Sequence, residues 1–232
     1  MKTRHFLMMA TLAVGIAMTS MMMTSCSKAD NPVDTPMDSP NVLPVGALLE
    51  DDVPCQFKSP IFEDKWHDWR VTMQYRVISQ GKNPEVKLIR IFLRDWDNKI
   101  FIPDTVVGYW GEEYKVTQIS LQDFSQNSLY ELHTNHYIRD IGQEFKECTR
   151  LKKVDLSKGV MHIISNAFQG CTSLEELHLS GNTFMEEDAF EGCKNLKYVI
   201  FHSNHPYYEQ IWFPEGVEFF TEEQWNDRNQ GN

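Results

Sequence analysis

The chain has 232 residues, of which 33 are acidic and 22 are basic, and its formal net charge at pH 7 is −11. Nucleic acids and anionic membrane surfaces are bound by faces rich in Lys and Arg. The opposite charge balance of this chain argues against both as partners.

The first residues have the pattern of an export signal. Lys2 and Arg4 precede an apolar stretch from Phe6 to Met18, and small residues follow up to Cys26. The apolar run is too short for a membrane span, so residues 1–25 are predicted to be a secretory signal peptide. The placement of Cys26 resembles a bacterial lipoprotein box. This resemblance implies that Cys26 is lipidated and anchors the protein to the cell envelope, and we expect the membrane to be the outer membrane. Ordinary secretion, with Cys26 as a stray thiol, is the alternative.

Residues 26–44 carry a proline about every four residues and few apolar side chains. Such a composition cannot bury a core, so the segment is predicted to be a disordered tether. At roughly 3 Å per residue it could reach about 50 Å.

Residues 45–113 are predicted to form a separate antiparallel β unit. Apolar and polar residues alternate from Trp69 to Val77, and further apolar runs cover residues 86–93 and 99–102. Turn sequences separate the three runs, which favours a meander that caps the next segment. Four tryptophans lie here and are expected to fill the core, with sugar binding as the alternative: Trp66, Trp69, Trp96 and Trp110.

Residues 114–213 contain one short pattern four times. Its phenylalanines, which recur every 21 to 23 residues, are Phe124, Phe145, Phe168 and Phe190. Each is followed by a Leu-x-x-Leu/Val-x-Leu-like stretch whose alternation is typical of a half-buried strand. A fixed period in the low twenties predicts a stacked solenoid of about four rungs.

The copy at residues 164–179, Ile-Ser-Asn-Ala-Phe-Gln-Gly-Cys-x-x-Leu-x-x-Leu-x-Leu, resembles the BspA-like leucine-rich repeats of bacterial surface proteins. Other copies depart from the pattern: Glu144 stands where the family has alanine, and the copy at Phe124 lacks a cysteine. The resemblance implies a leucine-rich-repeat solenoid that takes part in adhesion or protein–protein contact. Residues 211–216 look like the family's closing strand.

Residues 214–232 are predicted to close the other end. Thr221 and Gln224 have capping-box spacing, which predicts a short helix that lays Trp225 against the final rung. Residues 226–232 are expected to fray. The predicted fold is therefore a β-rich repeat solenoid with an N-terminal antiparallel cap and a short C-terminal helix.

The outward positions of the repeated strands are the candidate binding surface. Stacking predicts two columns, which are Glu131, Lys153, Glu176, Tyr198 and His133, Asp155, His178, Ile200. Complementary charges on neighbouring strands stabilise a sheet by about 0.2–1 kcal/mol per pair, so pairing alone accounts for these residue types. A partner-binding face is the first alternative, and a metal site at His133, Asp155 and His178 is the second and less favoured.

Cysteines at one repeat position, Cys148, Cys171 and Cys193, are expected to stack in the interior as buried thiols, although neighbouring ones lie within disulfide range. The sequence does not indicate the state of Cys55. We find no nucleophile elbow, phosphate loop or zincin spacing, and expect no enzymatic activity, metal or cofactor.

The sequence thus predicts an exported, lipid-anchored envelope protein that binds protein partners through its repeat surface. Two other interpretations remain open: a structural accessory subunit of an envelope complex, and a glycan-binding protein.

Overall fold

A computed structural model describes residues 42–58, 67–93, 96–122, 124, 126–202 and 213–230. The predicted signal peptide, the predicted lipidation site Cys26 and most of the predicted tether lie outside the described residues. Within them, the strands are β1 (Leu48–Lys58), β2 (His67–Ser79), β3 (Glu85–Ile91), β4 (Asp97–Phe101), β5 (Thr105–Val107), β6 (Glu113–Ile119), β7 (Leu129–His133), β8 (Asp140–Ile141), β9 (Lys153–Asp155), β10 (His162–Ile163), β11 (Glu176–Leu179), β12 (Phe184–Met185), β13 (Tyr198–Phe201) and β14 (Glu218–Thr221). The described part of the chain has one α-helix, α1 (Glu222–Gln230).

Most of these strands form one long sheet. Its order is β14-β13-β11-β9-β7-β4-β1-β2-β3-β6-β5. From β4 to β14 every neighbouring pair is parallel. This parallel run has six strands, two more than the four predicted rungs, because β4 and β14 extend it at its two ends.

A second, small parallel sheet belongs to the same repeats. It has the order β12-β10-β8, with two residues in each strand. Ile141, Ile163 and Met185 from this sheet share one buried apolar cluster with Val154 and Leu177 from the long sheet. Each rung therefore buries apolar side chains from both sheets in one core, which accounts for the repeated pattern.

A column of phenylalanine rings runs through that core. The ring centroids of Phe145 and Phe168 are 5.7 Å apart, and those of Phe168 and Phe190 are 5.4 Å apart. Phe124 and Phe213 continue the column at its two ends, at 6.2 and 5.6 Å.

The repeat cysteines lie in the same interior. Cys148, Cys171 and Cys193 are fully buried free thiols. The thiol of Cys171 donates to the carbonyl of Phe145, and that of Cys193 to the carbonyl of Phe168. The neighbouring thiol of Cys148, together with burial, raises the pKa of Cys171, so the thiolate that would react is disfavoured.

The N-terminal strands differ from the predicted meander. β2 and β3 are antiparallel neighbours, as predicted. The third predicted strand, β4, instead pairs antiparallel with β1 and parallel with β7. The prediction was wrong because β1, which the alternation did not reveal, lies between β4 and β2.

The tryptophans of this region do not all fill a core. Trp110 lies in the turn between β5 and β6 and is 54% exposed. The expectation that it is buried was therefore wrong. Trp96 is half-buried, whereas Trp66 and the side chain of Trp69 lie outside the described part.

The C-terminal helix forms where it was predicted. The Thr221 amide donates to the Gln224 side chain, and the Gln224 amide donates to the Thr221 hydroxyl. These reciprocal bonds make the predicted capping box, and Trp225 packs on Tyr198 of β13 with ring centroids 4.9 Å apart. α1 continues to Gln230, so the expectation of a frayed segment from residue 226 was wrong.

The closing strand lies later than predicted. The final strand is β14, and residues 213–217 before it are not extended strand. Pro214 has no N–H to donate, and Gly216 has a φ of 86°, so this stretch is unsuited to a sheet ladder. Residues 211 and 212 lie outside the described part.

In the described part of the chain, no helix has the length and apolar character needed to cross a membrane. The helix α1 has nine residues.

Candidate functional site

The outward face of the parallel run carries the candidate site. Within each central strand one residue points into the core, as Leu132, Val154 and Leu177 do, and the residues on either side point outward. The strand pairing is in register from β7 to β13. It produces the two predicted columns, which are Glu131, Lys153, Glu176, Tyr198 and His133, Asp155, His178, Ile200.

Both columns are longer than predicted. Lys99 and Phe101 of β4 pair with Glu131 and His133. At the other end, β14 adds Glu218 beside Tyr198 and Phe220 beside Ile200. The alternation around Lys99 and Phe101 was visible in the sequence, but it was assigned to the meander.

Ion pairs connect neighbouring strands in the first column. The Lys99 Nζ lies 2.9 Å from the Glu131 carboxylate, and the Lys153 Nζ lies 2.7 Å from the Glu176 carboxylate. Burial alone would raise the pKa of Glu131, but hydrogen bonds from His133 and Lys99 outweigh it and lower that pKa to about 2. Glu131 is therefore a fixed negative charge at every physiological pH.

His133 links the two columns. Its Nε2 lies 2.8 Å from Glu131 Oε1, and its Nδ1 lies 3.2 Å from Asp155 Oδ2. Its ring stacks on Phe101 with centroids 4.4 Å apart. Burial opposes the charged imidazole, but the two carboxylates outweigh burial and raise the pKa of His133. Two of the predicted pairs between neighbouring strands are therefore present, His133 with Asp155 and Lys153 with Glu176.

His202, which directly follows β13, belongs to the site and was not among the predicted residues. Its Nε2 lies 3.1 Å from Asp155 Oδ1 and 2.9 Å from the carbonyl oxygen of Leu156. Its ring centroid is 5.9 Å from that of His178. The alternation Tyr198, Ile200, His202 continues the outward positions by one step, and this signal could have revealed it.

Burial reduces the predicted binding surface. Ile200 is fully buried, and His178 and Glu131 are only 8% and 9% exposed. The prediction that all eight positions form an accessible surface was therefore wrong. The reason is that α1 packs on β13 and β14 at one end, while the charged side chains cover one another elsewhere.

The predicted metal triad is also rearranged. Asp155, His178 and His202 bring one potential ligand atom each to within 4.8 Å of one another. His133 contacts Asp155 through the other carboxylate oxygen. His202 thus takes the position that the sequence assigned to His133.

Aromatic side chains cover the C-terminal end of the same face. Trp225 lies between Tyr198 and Phe220, with ring centroids 4.9 and 5.3 Å away. The Arg228 guanidinium lies over all three rings, 4.8 to 5.7 Å from their centroids. Such cation–π contacts hold a cationic group on an aromatic surface.

A family model for BspA type leucine rich repeat regions matches residues 113–216, in six copies. This repeat region belongs to the BspA type. The match extends beyond the four copies that the sequence revealed, from the first residue of β6 to just before β14. Leucine-rich repeats generally mediate protein–protein interactions, and the BspA-type region is consistent with that role.

Two solved structures are similar to this chain. One is a leucine-rich repeat protein from Bacteroides ovatus ATCC 8483, with 22% identity and a TM-score of 0.45 over 64% of this chain and 36% of that one. The other is a leucine rich cell surface protein from Faecalibacterium prausnitzii A2-165, with 21% identity and a TM-score of 0.41 over 63% of this chain and 40% of that one. The chain therefore spans well under half the length of either protein. No curated protein matches it.

Proposed function

We propose that this chain is an exported, lipid-anchored protein of the bacterial cell envelope that binds a protein partner through the outward face of its parallel sheet. The observation that carries the proposal is the parallel pairing from β4 to β14, which is in register from Lys99 of β4 onward and aligns outward side chains from six strands. The proposed role is binding without catalysis.

The chemistry of the face supports contact with a protein. Phe101 is 40% exposed at one end, and Tyr198, Trp225 and Arg228 lie at the other. Aromatic residues and arginine are the types most often found at the centres of protein interfaces. Between these ends, the charged side chains already hold one another in place, so a partner meets a preorganised surface and loses less entropy on binding.

The size of the face indicates how strong the contact is. Six strands about 4.8 Å apart, each about four residues long, cover roughly 24 × 13 Å, or about 300 Å². A stable complex buries about 800 Å² on each partner. A single copy of this face is therefore expected to bind weakly. A stable complex would need several copies of the face, or a further contact elsewhere on the molecule.

Export and anchoring are supported by the sequence, through the basic and apolar residues before Cys26. Metabolic labelling with a fatty acid should mark the protein, and Cys26→Ser should abolish the label. Labelling that persists in Cys26→Ser would show that the lipid is attached to another residue.

Photo-crosslinking in living cells tests the binding face. A photoreactive phenylalanine analogue is placed at Phe101, and in a matched control at Phe184, which is 62% exposed on the small sheet. We expect a discrete crosslinked protein from Phe101 and none, or a different one, from Phe184. The absence of any adduct from Phe101, or the same adduct from both positions, would contradict the proposal. A resident envelope protein in the adduct would favour the accessory-subunit role.

A glycan-binding role has one observation in its favour. Tyr109 and Trp110, in the turn between β5 and β6, are 71% and 54% exposed. Flat aromatic surfaces of this kind pack against apolar bodies that carry polar rims, as sugar rings do. A tryptophan fluorescence change on adding oligosaccharides that disappears in Trp110→Ala would support this role, and no change would exclude it.

A further inference from the structure

Three potential metal ligands converge near the C-terminal end of the second column. Asp155 comes from β9, His178 from β11, and His202 from the residue after β13. Neighbouring strands place successive outward positions about 4.8 Å apart, which brings Asp155 and His178 together. His202 then reaches back across β11, so that its Nε2 lies 3.1 Å from Asp155 Oδ1.

Each of these three side chains also lies close to a second polar group. His133 Nδ1 lies 3.2 Å from Asp155 Oδ2, which leaves Oδ1 directed at His202. Glu176 Oε1 lies 2.5 Å from His178 Nε2, and Glu222 Oε2 lies 3.7 Å from His202 Nδ1. Carboxylates on the far nitrogen of a histidine are the usual outer contacts of a metal site, where they fix the tautomer and orient the ring.

We propose that Asp155, His178 and His202 form a binding site for Zn²⁺. Two imidazole nitrogens and one carboxylate oxygen are a ligand set that zinc accepts, with its fourth position left to water. The side chain of Asp155 is 29% exposed, whereas the side chains of the two histidines are each 10% exposed, so the site is enclosed by the protein and open on the side of the carboxylate. This inference is independent of the proposed partner binding.

Asp155 and His202 are already spaced to hold the ion, whereas the His178 ligand atom, within 4.8 Å of the other two, must move closer. Ligand atoms about 2.0–2.1 Å from a tetrahedral zinc lie about 3.3 Å from one another. The distance between Asp155 Oδ1 and His202 Nε2 is 3.1 Å. His202 Nε2 also lies 2.9 Å from the Leu156 carbonyl oxygen, to which it donates when it carries the proton. Zinc binding therefore requires this proton to be on Nδ1, which lies 3.7 Å from Glu222 Oε2.

The surrounding charge favours a dication. Glu176 and Glu222 contact the two histidines, so together with Asp155 three carboxylates surround the position. Lys153 and His133 offset part of this charge, since they lie 2.7 Å from Glu176 Oε1 and 3.2 Å from Asp155 Oδ2, and a bound Zn²⁺ would offset more of it. A cleft of about 490 Å³, lined by His202, Glu222 and Asp227 among others, adjoins His202 on the side of α1.

Calorimetric titration of the purified protein with Zn²⁺ is the first test. We expect one ion per chain, and at least a tenfold loss of affinity in His178→Gln and in His202→Gln. The matched control is His136→Gln, because the His136 side chain is exposed, pairs with Asp104 and is none of the three proposed ligands. This control should bind as the unaltered protein does. The absence of saturable binding, or binding unchanged in both site variants, would overturn the proposal.

X-ray absorption spectroscopy of the zinc-loaded, unaltered protein is the second test, and it does not depend on the folding of any variant. We expect nitrogen and oxygen ligands at about 2.0–2.1 Å, with the outer-shell scattering of two imidazole rings. A spectrum with oxygen ligands alone would place the ion elsewhere and overturn the assignment.

Discussion

At Glu147 the chain departs from its own repeat. Gly170 and Gly192 occupy the equivalent positions, with φ angles of 76° and 79°, and Glu147 adopts a φ of 60°. A residue with a Cβ is strained by about 1–2 kcal/mol in this left-handed region, where glycine is not. Glu147→Gly should therefore increase the free energy of unfolding by about 1 kcal/mol, which urea denaturation can measure.

The neighbouring Lys146 provides the control for this prediction, because its φ of −54° suits any residue. Lys146→Gly should decrease the free energy of unfolding, since glycine only adds freedom to the unfolded chain there. If both glycine substitutions destabilise the protein equally, backbone strain at Glu147 is not the explanation.

The pKa of Glu131 is about 2, against an ordinary 4.5, so its contribution to the free energy of unfolding should depend on pH. A carboxyl group whose pKa is lower in the folded protein stabilises it above pH 4.5, and this contribution is lost as the pH falls toward 2. Glu131→Gln should therefore cost about 3 kcal/mol at pH 7 and progressively less between pH 4.5 and 2. Parallel urea denaturation series of the two proteins at several pH values measure this difference. A cost that does not change with pH would show that the Glu131 charge is unimportant.

The positions of the site residues were largely predictable, whereas their environments were not. Period-two alternation in each strand and a constant repeat length suffice to place His133, Asp155 and His178 in one column. The burial of Ile200 depends on the packing of α1 over β13, a contact between segments that the repeat pattern does not encode. His202 was missed because it lies just beyond the last apolar position of its repeat.

The phenylalanine column is the element that connects one repeat to the next. Phe168 is fully buried, between the rings of Phe145 and Phe190. Phe168→Ala removes both ring contacts and leaves a cavity, so it should reduce the free energy of unfolding by about 3–5 kcal/mol. Phe184→Ala is the matched control, because Phe184 is 62% exposed, and its effect should remain within about 0.5 kcal/mol. Equal effects in urea denaturation would contradict the assignment of the column to the core.

The strand β4 shows where prediction from local pattern ends. Its apolar residues were recognised, as was the turn before it, but its partners were wrong. β1 contains acidic residues and Pro54 and has little regular alternation, so it carries no strong strand signal. Since the order of strands in a sheet depends on pairing between distant segments, one unrecognised strand is sufficient to misplace its neighbour.

In the described part of the molecule, the N-terminal strands and the repeats share one sheet. β4 joins them, because it is bonded to β1 on one side and to β7 on the other. One buried cluster includes Leu49 and Tyr75 from the N-terminal strands together with Leu132 and Leu177 from the repeats. The two regions are therefore expected to support each other's stability and to hold the outward face of the repeats rigid for a partner.

Adhesion to a partner outside the cell requires that the repeat region be accessible at the cell surface. The most direct test is protease treatment of intact cells that produce the protein, followed by detection of residues 113–216 with an antibody. We expect the repeat region to be cleaved without lysis, while a periplasmic control protein remains intact. If the region is protected until the envelope is opened, a surface-exposed binding role is contradicted and the partner must be sought inside the envelope.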